Sequence, residues 1–434
     1  MAKRILLFAI LFSALLFIAV NAKSPIKVQG DGVFYYSYLH SVLFDHDLNF
    51  KNELEHYSSY DAGSRWFLEH HTLTPIGKTP NAYAYGLAIM WLPFILIAQT
   101  LTWLFGLMKP NFFVLDGYSY FYNLAINFSG WLFGILALII NYKTAKKFFA
   151  ENVAAWTVVA LLLATPWIYY QIFEPSMSHM ASLLMVSVFV YFLTDLYVGK
   201  KINYWLLMLV TFLMLAIRWQ NLLFCLAFVP LLIREFKEKK YRDIISQKTA
   251  LVVSIVIFWL SQFWLWHNLY GSYFLTPQGK NFIKPEFHGL YVLFSTNHGL
   301  LLWSPVLILA IGGWYYLGKK HKYLPIMALM VFVAQWLING SLNDLGGGDA
   351  FGGRRFIEIM PFFALGLAAV WGKIKKYYWI FATIVVILIG WNFLLIENYR
   401  LGTIPHAGEF AFFRQNYFKV ISIDYSRYIN RLNN

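Results

Sequence analysis

Long uncharged stretches dominate this chain. Mostly apolar runs occupy roughly 5–21, 82–107, 117–141, 152–170, 178–197, 249–268, 300–318, 323–339, 356–372 and 377–396. A helix needs about 20 such residues to cross bilayer hydrocarbon, where only helices and closed barrels satisfy every backbone polar group. Charged residues are 13% of the 434, about half the roughly 25% of a soluble domain. Mean hydropathy is +0.55. These values exclude a cytosolic globular enzyme, a disordered chain and a secreted mini-protein. The expected fold is an all-α membrane protein, a polytopic bundle of roughly 11–13 transmembrane helices. It forms one domain over 1–396, followed by a short tail at 397–434.

Two stretches depart from the simple pattern. The run 203–233 is too long for one span, and Arg218, Gln220 and Asn221 interrupt its centre. Polar groups at that depth are costly unless they face protein or water, so the run reads as two short helices turning near Arg218. Pro93 interrupts 82–107, and a proline removes a helix hydrogen bond and clashes with the preceding turn. That run is expected to be a re-entrant hairpin.

The formal net charge is +14, which in a soluble protein would point to nucleic acid. Here the excess lies in short connections: Lys143/Lys146/Lys147, Lys200/Lys201, Arg234 to Arg242, Lys319/Lys320/Lys322 and Lys373/Lys375/Lys376. Short Lys/Arg-rich loops stay cytoplasmic, so the charge reports topology and no nucleic-acid partner is expected. Segments 22–80, 171–177, 269–299, 341–355 and the tail then fall on the outer face. The N-terminus, Lys3-Arg4 followed by an apolar run to Val20, also resembles a secretory signal, with Val20-Asn21-Ala22 as a cleavage site. An uncleaved first span is the expectation. Cys225 is the single cysteine, which leaves no intramolecular disulfide and no Cys-based zinc site.

The outer loops carry the chemistry. The first contains Gly30-Asp31-Gly32, then Tyr35-Tyr36 and Asp45-His46-Asp47. A carboxylate at a membrane surface accepts a proton from an attacking hydroxyl, holds a divalent metal, or caps a helix. Asp31 is the first candidate base; Asp45 and Asp47 are further candidates or caps. Asp45-His46-Asp47 also looks like the Asp-x-Asp with which nucleotide-sugar enzymes hold a metal such as Mg or Mn, with His46 as a third ligand. The loop 341–355 is glycine-rich and ends in Arg354-Arg355. Guanidinium matches phosphate oxygens, and the positive-inside rule does not account for arginines at the outer boundary. They read as a phosphate clamp, or else as snorkelling or salt-bridged residues. Asn297 and His298 either donate to a head group or cap the next helix. Lys78, Glu174 and His179 also face outward, as substrate contacts or structural ion pairs. Carboxylates, an arginine pair and aromatic-rich spans suit a phosphate joined to a long apolar tail, as in a polyprenyl-phosphate sugar.

These stretches resemble the GT-C superfamily of integral membrane glycosyltransferases, in the branch with protein O-mannosyltransferases and lipid A aminoarabinose transferases. The resemblance rests on Gly30-Asp31-Gly32 with Tyr35-Tyr36, on Asn297-His298-Gly299 with Trp303-Ser304-Pro305, and on Phe351-Gly352-Gly353-Arg354-Arg355-Phe356. It implies an inverting transfer from a lipid-phosphate sugar to a lipid, glycan or protein acceptor, at the outer face of a bacterial inner membrane. A first-loop acid serves as base, matched here by Asp31 or, second, by Asp45 or Asp47. A base so near the first span explains why that span stays attached. The chain departs from the family in lacking the adjacent Asp-Glu pair of the mannosyltransferases. Two alternatives remain: a flippase or transporter for lipid-linked sugars, and a subunit that binds the lipid carrier without catalysis.

Overall fold

A computed structural model describes residues 1–238, 241–275, 277–279, 282–374 and 377–409, with backbone alone at 241–244. Residues 410–434 of the expected tail lie outside the described residues. The chain begins with α1 (Ala2–Asn21), α2 (Asp31–His40), α3 (Lys51–Ser58) and α4 (Ala62–His70), with a π-helical turn at Ser41–Asp45. It continues through α5 (Gly86–Gly106), α6 (Tyr120–Ala145), α7 (Glu151–Leu163), α8 (Trp167–Ile172), α9 (His179–Tyr197) and α10 (Tyr204–Ile217). A 3-10 segment, Trp219–Ala227, leads into α11 (Phe228–Lys237) and α12 (Tyr241–Tyr270). The remainder is α13 (Gly289–Phe294), α14 (Leu300–Trp303), α15 (Val306–Gly318), α16 (Tyr323–Gly340), a 3-10 segment at Arg354–Ile359, α17 (Met360–Lys373) and α18 (Tyr378–Arg400). Among the described residues the one β pairing is an antiparallel bridge between Ile283 and Leu342.

The protein is therefore a polytopic helical bundle. Nine helices among the described residues are long and apolar enough to span a bilayer, and α7, α10 and α15 are shorter apolar helices. Two of the short ones lie next to a further short helix, α8 after α7 and α14 before α15.

Lys147, Lys200, Arg234 and His321, from four of the basic stretches, gather at one end. Lys147 and Lys200 both pair with Asp195, at 3.0 and 3.5 Å. Arg234 lies over the Tyr197 ring, and His321 meets Phe148 and Tyr197. The first loop lies at the other end of α6, where Asn127 donates to Asn21 Oδ1 and Asn123 accepts from the Val28 amide.

The run 82–107 corrects one expectation. It holds a single helix, α5, with Pro93 inside it and exposed on its surface. A transmembrane helix tolerates proline where its surroundings satisfy the freed carbonyl. The 107–119 connector packs on the far end of α2, where Tyr36 Oη donates to Gly117 O at 2.5 Å and His40 Nε2 meets Asp116 O at 3.0 Å. The connector between α5 and α6 thus lies at the first-loop end, while Phe94 of α5 packs on Phe128 and Phe133 deeper along α6.

The break at Arg218 follows the sequence. Helix α10 stops at Ile217, Arg218 is extended (φ −151°, ψ 119°), and the chain resumes as a 3-10 turn.

Small residues set the closest helix pair. A Cβ on Gly313 of α15 would collide with the Gly366 carbonyl of α17, and one on Gly366 with the Ala310 carbonyl. Such contacts let transmembrane backbones approach closely. Gly366→Leu is expected to destabilise the bundle by about 1–3 kcal/mol or more through overpacking, read as loss of the monodisperse peak on size-exclusion in detergent. Gly312→Leu is the control, because no atom lies within 4 Å of a Cβ there; equal behaviour of the two would contradict this packing.

Candidate functional site

Asp31 opens α2, a position where the helix dipole favours a carboxylate. Its glycine neighbours have separate reasons to be glycine. Gly30 has φ +55°, and a Cβ on Gly32 would lie 2.6 Å from Ser176 Oγ. Asp61 Oδ1 accepts from the Gly30 amide at 3.0 Å and anchors the turn.

Opposite stands the loop after α16. Asp344 Oδ1 accepts from the amides of Gly347 and Gly348, both with positive φ, and delivers the chain to Arg354 and Arg355. Arg354 Nη1 lies 3.2 Å from Asp31 Oδ2, and its Nη2 donates to Gly347 O at 2.8 Å. Arg355 pairs with Asp344 Oδ2 at 3.0 Å. Tyr83 Oη donates to Asp31 Oδ1 at 2.9 Å. Burial works against the charged form of Asp31, but Arg354 and the Tyr83 hydroxyl outweigh it and hold the carboxyl below its ordinary value.

A third arginine joins from the break after α10. Arg218 Nη1 lies 3.0 Å from Glu358 Oε1 and 2.8 Å from His179 Nδ1. His179 and Glu358 are themselves 3.3 Å apart. The three arginines, Asp31, Tyr35, Tyr83 and His179 line a cavity of about 750 Å³, together with the apolar side chains of Trp219, Leu222, Leu223, Phe282 and Ile338. Trp219 meets Trp266, with ring centroids 5.6 Å apart. Trp266 belongs to a second groove of about 820 Å³ lined by Ile255, Val256, Trp259, Leu260, Phe263, Phe274 and Leu275. A charged cavity and an apolar groove are thus neighbours.

Asp31, Tyr35, Arg354 and Arg355 come together in this cavity. Tyr36, Lys78, Asn297 and His298 do not line the cavity, nor do Asp45 and Asp47. Tyr36 points to the other side of α2, fully buried against Gly117. The Lys78 amide closes a local turn on Thr74 Oγ1. Asn297 donates to Tyr291 Oη and accepts from the Gly408 amide, packing behind the Gly346 backbone. His298 Nε2 bonds His406 O at 2.9 Å, and burial pushes its imidazole down to about 4. It is neutral at pH 7 and brings no charge to a phosphate.

The Asp-x-Asp pattern does not form a two-carboxylate clamp. His46 is left-handed (φ 59°) and ends the π-helical turn. Asp45 then faces His40 and Asn52, whereas Asp47 accepts from Ser41 Oγ and the Asn49 amide.

Sequence reasoning placed Arg218 only at a turn and treated His179 as peripheral. The available signal was an arginine inside an apolar run and a glutamate, Glu358, inside another. Nothing local in the sequence marked Tyr83.

Glu174 lies beside the site, and Tyr169 Oη donates to its Oε1 at 2.8 Å. Its Oε2 is buried with no hydrogen-bond partner among the described residues. Burial, reinforced by Asp349 and Asp31 against the pull of Tyr169 and Arg354, pushes its carboxyl up to about 7. The folded state therefore keeps a proton that the unfolded chain loses near 4.5, so this group's stabilisation falls as pH rises from about 4.5 to about 7. Thermal unfolding of Glu174→Gln across that window is expected to be flatter than that of the wild type; identical slopes would remove Glu174 as the cause.

No protein-family model matches the sequence, and no curated protein matches it either.

Proposed function

We propose that this chain is a membrane glycosyltransferase of GT-C type, moving a sugar from a polyprenyl-phosphate donor to an acceptor with inversion. The observation that carries the reading is the Asp31–Arg354 pair, at 3.2 Å, in a cavity with three arginines beside an apolar groove. Phosphate is the leaving group, and fixed guanidinium donors stabilise charge where it develops. An arriving donor phosphate competes for Arg354 and frees Asp31, already ionised at neutral pH, to take the acceptor's proton. The acceptor oxygen forms the new bond at the anomeric carbon as the phosphate oxygen departs with the bonding pair. The apolar groove suits the prenyl tail. The basic clusters at the opposite end favour an extracytoplasmic site in a bacterial inner membrane.

One observation favours a second reading, a translocator for the same lipid. Helices break at Arg218 and before α17, and the Arg218–Glu358–His179 cluster lies at those breaks; transporters use broken helices in this way.

The test is reconstitution of the purified protein in liposomes with radiolabelled polyprenyl-phosphate sugars and extracted membrane acceptors. Label leaving the lipid pool supports the transferase. Label that stays on the lipid but changes leaflet overturns it in favour of the translocator.

A further inference from the structure

Away from the cavity, at the other end of α2, His40, Asp45 and Glu53 converge. One ligand-capable atom of each lies within 4.8 Å of the others. His40 ends α2, Asp45 ends the π-helical turn and Glu53 sits in the first turn of α3. His40 Nδ1 is 3.0 Å from Asp45 Oδ2 and 3.4 Å from Glu53 Oε1. Ligands bound tetrahedrally at about 2.0–2.1 Å stand about 3.3–3.4 Å apart, so His40 Nδ1 already stands near that spacing from each of the two carboxylates.

Two further observations point to a cation. Glu53 is 0% exposed, yet its Oε2 has no hydrogen-bond partner among the described residues. A buried carboxylate oxygen left unpaired is costly. Second, His40 Nε2 meets the Asp116 carbonyl at 3.0 Å, a contact that requires the proton on Nε2. The outer hydrogen bond of a metal-bound histidine fixes the tautomer in this manner. Nδ1 then faces two carboxylates and the Tyr118 hydroxyl, 3.2 Å away, and binds a metal ion once it carries no proton. Phe44 and Tyr118 stack on the imidazole, with centroids at 4.8 and 4.2 Å, and hold its plane.

We propose that His40, Asp45 and Glu53 form a divalent-cation site of the zinc type, matching a donor set of one imidazole and two carboxylates. Asp45, on the exposed side, gives the ion access. The ion ties the C-terminal end of α2 to α3 and to the 107–119 connector. Because Asp31 is at the other end of the same helix, the site positions that carboxylate without touching substrate. It stands independently of sugar transfer.

The full chain, purified in detergent and stripped with chelator, is titrated with zinc chloride, and bound metal is measured by mass spectrometry and calorimetry. One equivalent is expected for the wild type and for Asp31→Asn, with zinc raising the unfolding temperature of both. Glu53→Gln and Asp45→Asn are expected to bind at least about tenfold more weakly. Asp45 is exposed, so Asp45→Asn keeps the comparison valid where Glu53→Gln fails to fold. Excess magnesium is expected not to displace zinc. No bound zinc in the wild type, undiminished binding by Asp45→Asn, or displacement by magnesium overturns the proposal; the first two leave a proton on His40 Nδ1 as what holds the cluster.

Discussion

Asp31→Asn is expected to lower the rate of sugar transfer from a polyprenyl-phosphate donor by about 10²–10⁴-fold, the usual contribution of a positioned general base. The change is nearly isosteric. Tyr83 can still donate to the side-chain oxygen, and Gly347 O still accepts from Arg354, so the fold is expected to survive. The sign of the binding effect separates this role from a merely electrostatic one. Removing a negative charge 3.2 Å from Arg354 leaves that guanidinium free for phosphate, so donor affinity is expected to stay level or rise in Asp31→Asn. Arg354→Ala is expected to weaken donor binding instead. Donor titration and single-turnover transfer on the same preparations measure both quantities. Full turnover by Asp31→Asn would falsify the assignment of the base.

Glu358→Ala is expected to destabilise the bundle by about 3–5 kcal/mol, the range for breaking one half of a buried ion pair. Glu358 is 3% exposed and Arg218 18%, and they meet at 3.0 Å. The loss arises mainly from leaving the Arg218 charge without its carboxylate, since His179 Nδ1 remains its other close neighbour. The double variant Arg218→Met with Glu358→Met is therefore expected to recover most of the stability, because an apolar pair carries no stranded charge. It is not expected to recover donor binding, which needs the third arginine of the cavity. Thermal unfolding in detergent and donor titration read the two effects separately. An unchanged unfolding temperature for Glu358→Ala would show that the pair holds nothing together; donor binding by the double variant would remove Arg218 from the site.

Much of the architecture was legible because the decisive physics is local. Inside hydrocarbon an unpaired backbone group costs several kcal/mol, so a run of about 20 apolar residues has one solution. The run at 5–21 became α1, and polar residues in the middle of 203–233 ended α10 at Ile217. Asp31 stood out as a carboxylate between two glycines beside the bilayer, and the Arg354-Arg355 pair as outer-face cations that topology does not explain. Pro93 misled, because a proline inside a transmembrane helix does not always end it, and α5 continues through Pro93.

Only the tertiary structure decided which charges meet. Asp31 pairs with Arg354 and Arg218 with Glu358 because helices far apart in sequence pack side by side. That packing depends on contacts such as Gly313 against Gly366, which leave no periodic trace in the sequence. The separation of Asp45 from Asp47 has the same origin: a left-handed His46 turns adjacent carboxylates toward different partners. The sequence by itself determined a helical membrane bundle with charge at its loops, since lipid leaves a backbone so few alternatives. The three-dimensional packing decided the cavity, because a polar side chain's partner is set by which helix faces come together.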